Sequence, residues 1–168
     1  MRSAVSLLSY MTTSRLLVTA ALILAAAALW LLVARPTGPS PSAVLADPVR
    51  TPGVLNPEVT PVTIRATICT HGWTATVRPP VEYTNALKRK QMRAYGETGP
   101  LSAYQEDHLI SLELGGDPTD PRNLWPEPYP RAAAVDQIEN QLNGKVCSGS
   151  LSLHDAQVEE STIKHTKG

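Results

Sequence analysis

The sequence predicts a small α+β domain, in which short helices surround one β-hairpin, behind an N-terminal transmembrane helix. Three features of the 168 residues lead to this prediction. Residues 16–34 are apolar and uncharged. Residues 104–129 hold two short apolar stretches on either side of Gly115-Gly116 and a turn rich in Asp and Pro, which is typical of a hairpin. A following stretch, from about Arg131 to Cys147, favours a helix.

The apolar stretch over residues 16–34 is long enough to cross a membrane. At about 1.5 Å per residue it spans roughly the ~30 Å hydrocarbon core. A signal peptide has a shorter apolar region, of about 7–15 residues, so a retained single-pass anchor is preferred and a cleaved signal is the alternative. Arg2 and Arg15 favour a cytoplasmic amino terminus. The folded domain is therefore expected outside the cytoplasm, at the cell membrane or, after cleavage, secreted.

Composition divides the rest of the chain into a linker and a domain. The predicted organisation is a cytoplasmic N-terminus over residues 1–15, the anchor over 16–35, a Pro-rich linker over 36–59 and the folded domain over 60–168. Within this domain, Thr60-Pro61 predicts a short helix to about Cys69, and residues 74–77 predict a short strand. Thr84 and Gly96 are the predicted caps of a helix from Asn85 to Tyr95.

Cys69 and Cys147 are the only cysteines. In an exported protein the default state of such a pair is a disulfide. Neither cysteine has the spacing of a redox Cys-x-x-Cys motif, and two thiols cannot make a Cys-rich zinc site. A structural bridge is therefore predicted.

The charge balance excludes a domain that holds nucleic acid by its overall charge. From residue 36 onward there are 12 basic and 15 acidic residues, a net charge of −3, so contact with phosphates must be local. One basic cluster lies on the helix predicted over Asn85–Tyr95. It is a candidate phosphate-binding face, and the alternative is an ordinary solvated face. Its members are Lys88, Arg89, Lys90 and Arg93.

The chemistry of the chain is concentrated at Asp107, His108 and Asn123. An imidazole that is neutral near pH 7 is a suitable general base, and a carboxylate beside it can hold a hard divalent cation such as Mg²⁺. Neighbouring side chains on a strand point to opposite faces, so Asp107 and His108 can serve one reaction only at a strand end or bend. An Asn at the return of the hairpin can fix the loop backbone through amide hydrogen bonds and so hold the base in place.

The stretch D-H-L-I-x-L-E-L-G-G-x(6)-N-L-W-P resembles the HNH endonucleases, whose ββα-metal (His-Me) finger consists of a β-hairpin and a helix. The resemblance covers residues 104 to about 146, and flanking segments look like those of exported bacterial proteins with HNH-like cores. It implies that His108 is the base that activates water, that Asp107 is a metal ligand and that Asn123 is the middle Asn of the motif. The implied cofactor is Mg²⁺, with Mn²⁺ as the alternative.

The sequence departs from this family at the last ligand. The helix from about Arg131 contains no histidine, so the third ligand must be an oxygen donor. Asp136 is the first choice, and Glu139 and Asn140 are the alternatives, since all three share one helix face.

These features support three hypotheses about function. The first is a membrane-anchored, metal-dependent nuclease, a hydrolase of the phosphodiester bonds of DNA or RNA. The second is a non-catalytic module of the cell envelope that keeps a degenerate HNH-like finger as a scaffold. The third is a hydrolase that acts on another phosphodiester or on wall material.

Overall fold

A computed structural model describes residues 45–167 of the chain. An antiparallel β-hairpin lies at its centre, formed by β1 (Tyr104–His108) and β2 (Leu124–Pro128). Asp107 pairs with Trp125 and His108 with Leu124, which places both motif residues at the loop end of β1. Four α-helices accompany the hairpin, and the predicted small α+β class with one hairpin is confirmed. They are α1 (Trp73–Val77), α2 (Val81–Tyr95), α3 (Tyr129–Ser148) and α4 (Leu153–Thr166).

Short 3₁₀ turns shape the chain around the hairpin. One precedes β1 at Leu101–Ala103, and two lie in the loop, at Leu112–Leu114 and Pro121–Asn123. Gly115 and Gly116 follow the first loop turn, and neither position has room for a side chain. A Cβ on Gly115, where φ is 79°, would come 2.5 Å from Val59 Cγ1, and one on Gly116 would collide with the Ile110 carbonyl oxygen.

The hydrophobic core joins α3 and α4 to the hairpin loop. Leu142 and Val146 of α3 pack with residues of α4 and with Leu114, all of them buried. The predicted disulfide is confirmed at the edge of this core, where the Cα atoms of Cys69 and Cys147 are 5.5 Å apart. The bridge ties the segment before α1 to the end of α3.

Two predicted elements are wrong. Residues 61–69 form consecutive turns instead of a helix, because Thr side chains compete for the backbone: the Thr60 amide donates to Thr63 Oγ1 (2.8 Å), and Thr67 Oγ1 donates to the Thr63 carbonyl (2.9 Å). The strand predicted over residues 74–77 is part of helix α1. Gly72, at φ 81°, turns the chain into that helix.

The helix predicted over Asn85–Tyr95 begins earlier, at Val81, directly after Pro80. Thr84 is therefore not its N-cap but lies inside the first turns, where its hydroxyl donates to the Val81 carbonyl (3.1 Å). The predicted end is confirmed: Gly96, at φ 75°, caps the helix and its amide donates to the Arg93 carbonyl.

The linker predicted over residues 36–59 is wrong in its described part, residues 45–59, which is packed against the domain. Ala46, Thr51 and Val59 are buried, and the Gly53 amide donates to the Arg122 carbonyl (3.0 Å). These backbone contacts hold the segment against the domain, whereas its Pro-rich composition predicts a linker without contacts to the domain. The domain therefore begins before Thr60.

The predicted cytoplasmic N-terminus, the anchor over residues 16–35 and the first part of the linker lie outside the described residues. Among residues 45–167, no helix has both the length and the apolar character needed to cross a bilayer.

Candidate active site

A polar cavity of about 380 Å³ opens where the end of β1 faces helix α3. It brings together Asp107 and His108 from the hairpin with Asp136 from the helix, as the motif predicts. Its lining is almost entirely charged or amide side chains, so it is suited to a charged, hydrated ligand and not to an apolar one. The lining residues are Arg78, Gln105, Glu106, Asp107, His108, Glu113, Asp136, Glu139 and Asn140.

His108 is held in a single orientation at the base of this cavity. Its ring is buried, with 5% of its surface exposed, and Nε2 lies 3.1 Å from the Pro118 carbonyl oxygen. A carbonyl only accepts, so Nε2 carries the proton and Nδ1 carries the lone pair of the neutral ring. Within residues 45–167 no hydrogen bond to Nδ1 is formed. Burial lowers the pKa of His108, which keeps the imidazole neutral at pH 7.

Asn123 fixes the loop that supports His108. Its Oδ1 accepts from the Ile110 amide (3.0 Å), and its Nδ2 donates to the carbonyls of Ile110 (3.0 Å) and Asp117 (2.9 Å). The side chain is fully buried, so the predicted clamping of the loop is confirmed. Asn123 therefore has the geometry of a positioning residue and not of one that meets a substrate.

Replacing Asn123 with alanine is expected to destabilise the domain by about 2–3 kcal/mol, because two buried backbone groups and one part-buried group lose their partner. Chemical denaturation of both proteins measures the loss. Asn140→Ala is the matched control, since Asn140 is exposed and its Nδ2 binds only the Asp136 carbonyl of its own helix (2.7 Å). Equal unfolding midpoints for the two variants would contradict the clamping role.

Asp107 has a hydrogen-bond donor on each oxygen. Gln105 Nε2 lies 3.1 Å from Oδ1, and Lys164 Nζ lies 3.0 Å from Oδ2. Burial alone would raise the pKa of Asp107, but the Lys164 ammonium outweighs it and holds that pKa below its ordinary value. Burial and the Asp107 charge raise the pKa of Glu127 to about 9, against the Arg131 guanidinium that pairs with Glu127 Oε1. Asp107 is therefore the ionised carboxylate of the pair.

Lys164 is the residue of this site that the sequence analysis missed. Its side chain is completely buried, and its ammonium binds Glu139 Oε1 (2.6 Å), Glu160 Oε1 (3.2 Å) and the His108 carbonyl in addition to Asp107. From the sequence, the Ser152 cap with Asp155 predicts a short last helix from about Leu153 to Ser161, which leaves Lys164 in a polar tail. The helix continues to Thr166, and the Glu160–Lys164 pair, four residues apart, is the sequence signal that points to the extension.

The donors proposed for a metal ion do not converge. Asp136, the first choice, is exposed at the rim of the cavity. Glu139 is turned to Lys164, and no group of three or more His, Cys, Asp or Glu side chains in the described part of the chain is arranged to hold a metal. Because Asp107 and Glu139 already share the ammonium, the residues in this arrangement do not fit a divalent cation.

The basic cluster predicted on helix α2 is divided by the fold. Arg89, Lys90 and Arg93 are exposed, whereas Lys88 is buried and its Nζ donates to the Tyr104 carbonyl (2.7 Å). Lys88 therefore stabilises the backbone of β1 and does not belong to the exposed basic face. The cation that lines the cavity is instead Arg78, an exposed residue directly after α1, which was not among the predicted site residues.

The cavity therefore combines a neutral imidazole with a free lone pair, an exposed guanidinium and a buried ammonium beside an ionised aspartate. Comparison of the chain with protein-family models, with curated proteins and with solved structures finds no match. What this combination can do chemically follows from its own side chains: it can take a proton from water and contact an anion.

Proposed function

We propose that the protein is an exported nuclease, anchored by residues 16–34, that hydrolyses phosphodiester bonds with His108 as general base. The observation that carries the proposal is the orientation of His108. Its Nε2–H is held by the Pro118 carbonyl (3.1 Å), which leaves Nδ1 as the basic atom of a ring that lines the polar cavity. A base so placed takes a proton from water as the water attacks phosphorus, and the resemblance to the HNH endonucleases supports the same role.

Arg78 is the proposed phosphate contact. Its guanidinium is exposed and lines the same cavity as His108, and a guanidinium can bind two phosphate oxygens at once. The exposed cations of α2, Arg89, Lys90 and Arg93, are proposed to hold the nucleic-acid backbone away from the cleavage point. Contact of this local kind suits a domain with a slightly negative net charge.

The acidic lining of the cavity is less negative than its composition suggests. Burial raises the pKa of Glu106 to about 8, so its side chain is largely protonated at neutral pH. A protonated carboxyl does not repel a phosphate and can donate a hydrogen bond to it. This protonation reduces the electrostatic repulsion that the acidic side chains of the cavity would exert on an anionic substrate.

The disulfide supports the proposed location. Cys69 and Cys147 form a bridge of the kind that persists in oxidising compartments and is rare in the cytosol. We therefore propose that the domain lies outside the cytoplasm.

One observation favours the second hypothesis, a non-catalytic envelope module. The carboxylate that the motif assigns to a metal is instead held by Lys164 (3.0 Å), as in a structural ion pair. In that case the finger is a scaffold, and the free lone pair of His108 has no chemical use.

The full-length protein is expected to cut plasmid DNA or RNA, and His108→Ala is expected to lower the rate by about 10²–10⁴-fold, because it removes the general base. His154→Ala is the matched control, since His154 is an exposed histidine on α4 and is expected to leave the rate unchanged. Thermal melts show whether each variant is folded. The nuclease hypothesis fails if the wild type leaves both substrates intact, or if His108→Ala cuts as fast as the wild type.

The rate is also expected to depend on pH in a way that reports His108. The neutral ring is the active form, and burial lowers its pKa below the ordinary value of 6.5. The acidic limb of kcat/KM against pH is therefore expected to be centred below 6.5, with a plateau by pH 7. A limb centred above 6.5 would assign the base to a different group.

A further inference from the structure

Lys164 is surrounded by oxygen atoms in the way that a bound cation is. Three oxygens accept hydrogen bonds from its ammonium, namely Asp107 Oδ2 (3.0 Å), Glu139 Oε1 (2.6 Å) and the His108 carbonyl, and Glu160 Oε1 forms an ion pair with it at 3.2 Å. They come from β1, α3 and α4, and the ammonium itself is inaccessible to solvent. Three carboxylates around one positive charge exceed what a simple ion pair requires.

Three of the four partners of Lys164 also line the cavity. Asp107, Glu139 and His108 are each part of its wall, so the ammonium lies directly behind the residues proposed for catalysis. Lys164 therefore fixes the carboxylate beside the base and the backbone of the base itself. A substrate cannot reach it, which makes it a positioning residue.

We propose that Lys164 is the resident cation of this site: its tethered ammonium occupies the place beside Asp107 where the family resemblance implies a divalent metal. The ammonium and a divalent ion compete for the same carboxylate. Mg²⁺ binds carboxylate oxygens at about 2.0–2.1 Å, and both oxygens of Asp107 already have donors, Lys164 Nζ and Gln105 Nε2. An ion close to Asp107 Oδ2 would also meet the repulsion of the ammonium across a dry interior.

The consequence is a site whose cation cannot dissociate. A hydrolase of this kind works in the presence of a chelator, because the positive charge beside Asp107 belongs to the chain. This activity readout rests on the proposed nuclease function, whereas metal binding can be measured without it.

The test is a Mn²⁺ titration of the full-length protein. Binding is measured by electron paramagnetic resonance, as the decrease of the signal of free Mn²⁺. The wild type is expected to show no saturable site. Lys164→Met is expected to bind one Mn²⁺ per chain, through the carboxylates that have lost the ammonium as their partner. Adding Asp107→Asn to Lys164→Met is expected to abolish the gained site. Lys90→Met, an exposed lysine on α2, is the matched control and should behave as the wild type.

Saturable binding to the wild type that Asp107→Asn removes would overturn the proposal, and so would a folded Lys164→Met that binds no Mn²⁺. If Lys164→Met does not fold, the comparison of wild type with Asp107→Asn still decides. In a parallel assay, equal cleavage of plasmid or RNA in EDTA and in Mg²⁺ is expected, and cleavage that requires Mg²⁺ would count against the proposal. An inactive wild type would defeat the nuclease function alone, because the titration stands without it.

Discussion

Lys164→Met is expected to lower the free energy of unfolding by about 3–5 kcal/mol, because it leaves buried carboxylates without their counter-charge. Methionine keeps most of the volume of the lysine stem, so the loss is electrostatic and not a packing defect. The ammonium has no exposed surface and binds Asp107, Glu139 and Glu160, so water cannot replace it. Urea denaturation at pH 7 measures the change, with Lys90→Met as the exposed control, which is expected to stay within about 0.5 kcal/mol of the wild type.

The pH dependence of this variant distinguishes lost charge from lost packing. The ammonium holds the pKa of Asp107 below its ordinary value, so in the variant the burial of Asp107 raises that pKa above its unfolded value. A carboxyl with a raised pKa stabilises the fold fully below its unfolded pKa, near 3.8 for Asp107, and this contribution is lost as the pH rises towards the folded pKa. The deficit of Lys164→Met is therefore expected to be smaller at pH 5 than at pH 7. A deficit that does not change between these pH values would show that packing causes it.

The hairpin and the placement of His108 could be predicted from the sequence because their determinants are local. Gly115 and Gly116 permit a turn that no other residue could enter, and Asn123 reaches back over a short loop to the Ile110 backbone. Asp107 and His108 then fall at the strand end, where neighbouring side chains can reach one cavity. Each of these relations spans fewer than about twenty residues, the range over which sequence patterns are informative.

The electrostatics of the site could not be predicted, because they depend on contacts between distant segments. Lys164 reaches Asp107 across 57 positions of the chain, and no spacing rule connects them. Arg78 reaches the cavity only because residues 73–77 form a helix instead of the expected strand. Similarly, Lys88 belongs by sequence to a basic cluster, yet its ammonium donates a hydrogen bond to the Tyr104 carbonyl inside the domain. Burial decides in each case whether a charge meets solvent, a partner or a ligand.

The second large effect is expected from the disulfide: the double variant Cys69→Ser/Cys147→Ser should lose about 4 kcal/mol of unfolding free energy. The bridge closes a loop with a sequence separation of 78 residues, and in the chain-entropy model its main effect is to restrict the unfolded chain. The segment it holds needs this restraint, because residues 61–69 form turns without a helical hydrogen-bond ladder. Urea denaturation of the oxidised wild type and of the double variant measures the difference.

Wild-type protein kept reduced is the matched control, since it lacks the bridge but retains both cysteine side chains. It is expected to unfold at the urea concentration of the double variant, which separates the cross-link from the change of side chain. The native site should survive in both, because His108 and Asp107 are held by Asn123, Lys164 and the hairpin, and none of these contacts involves the bridge. If the double variant unfolded with the midpoint of the oxidised wild type, the turns of residues 61–69 would be stable by themselves, and the bridge would restrain a segment that is already ordered.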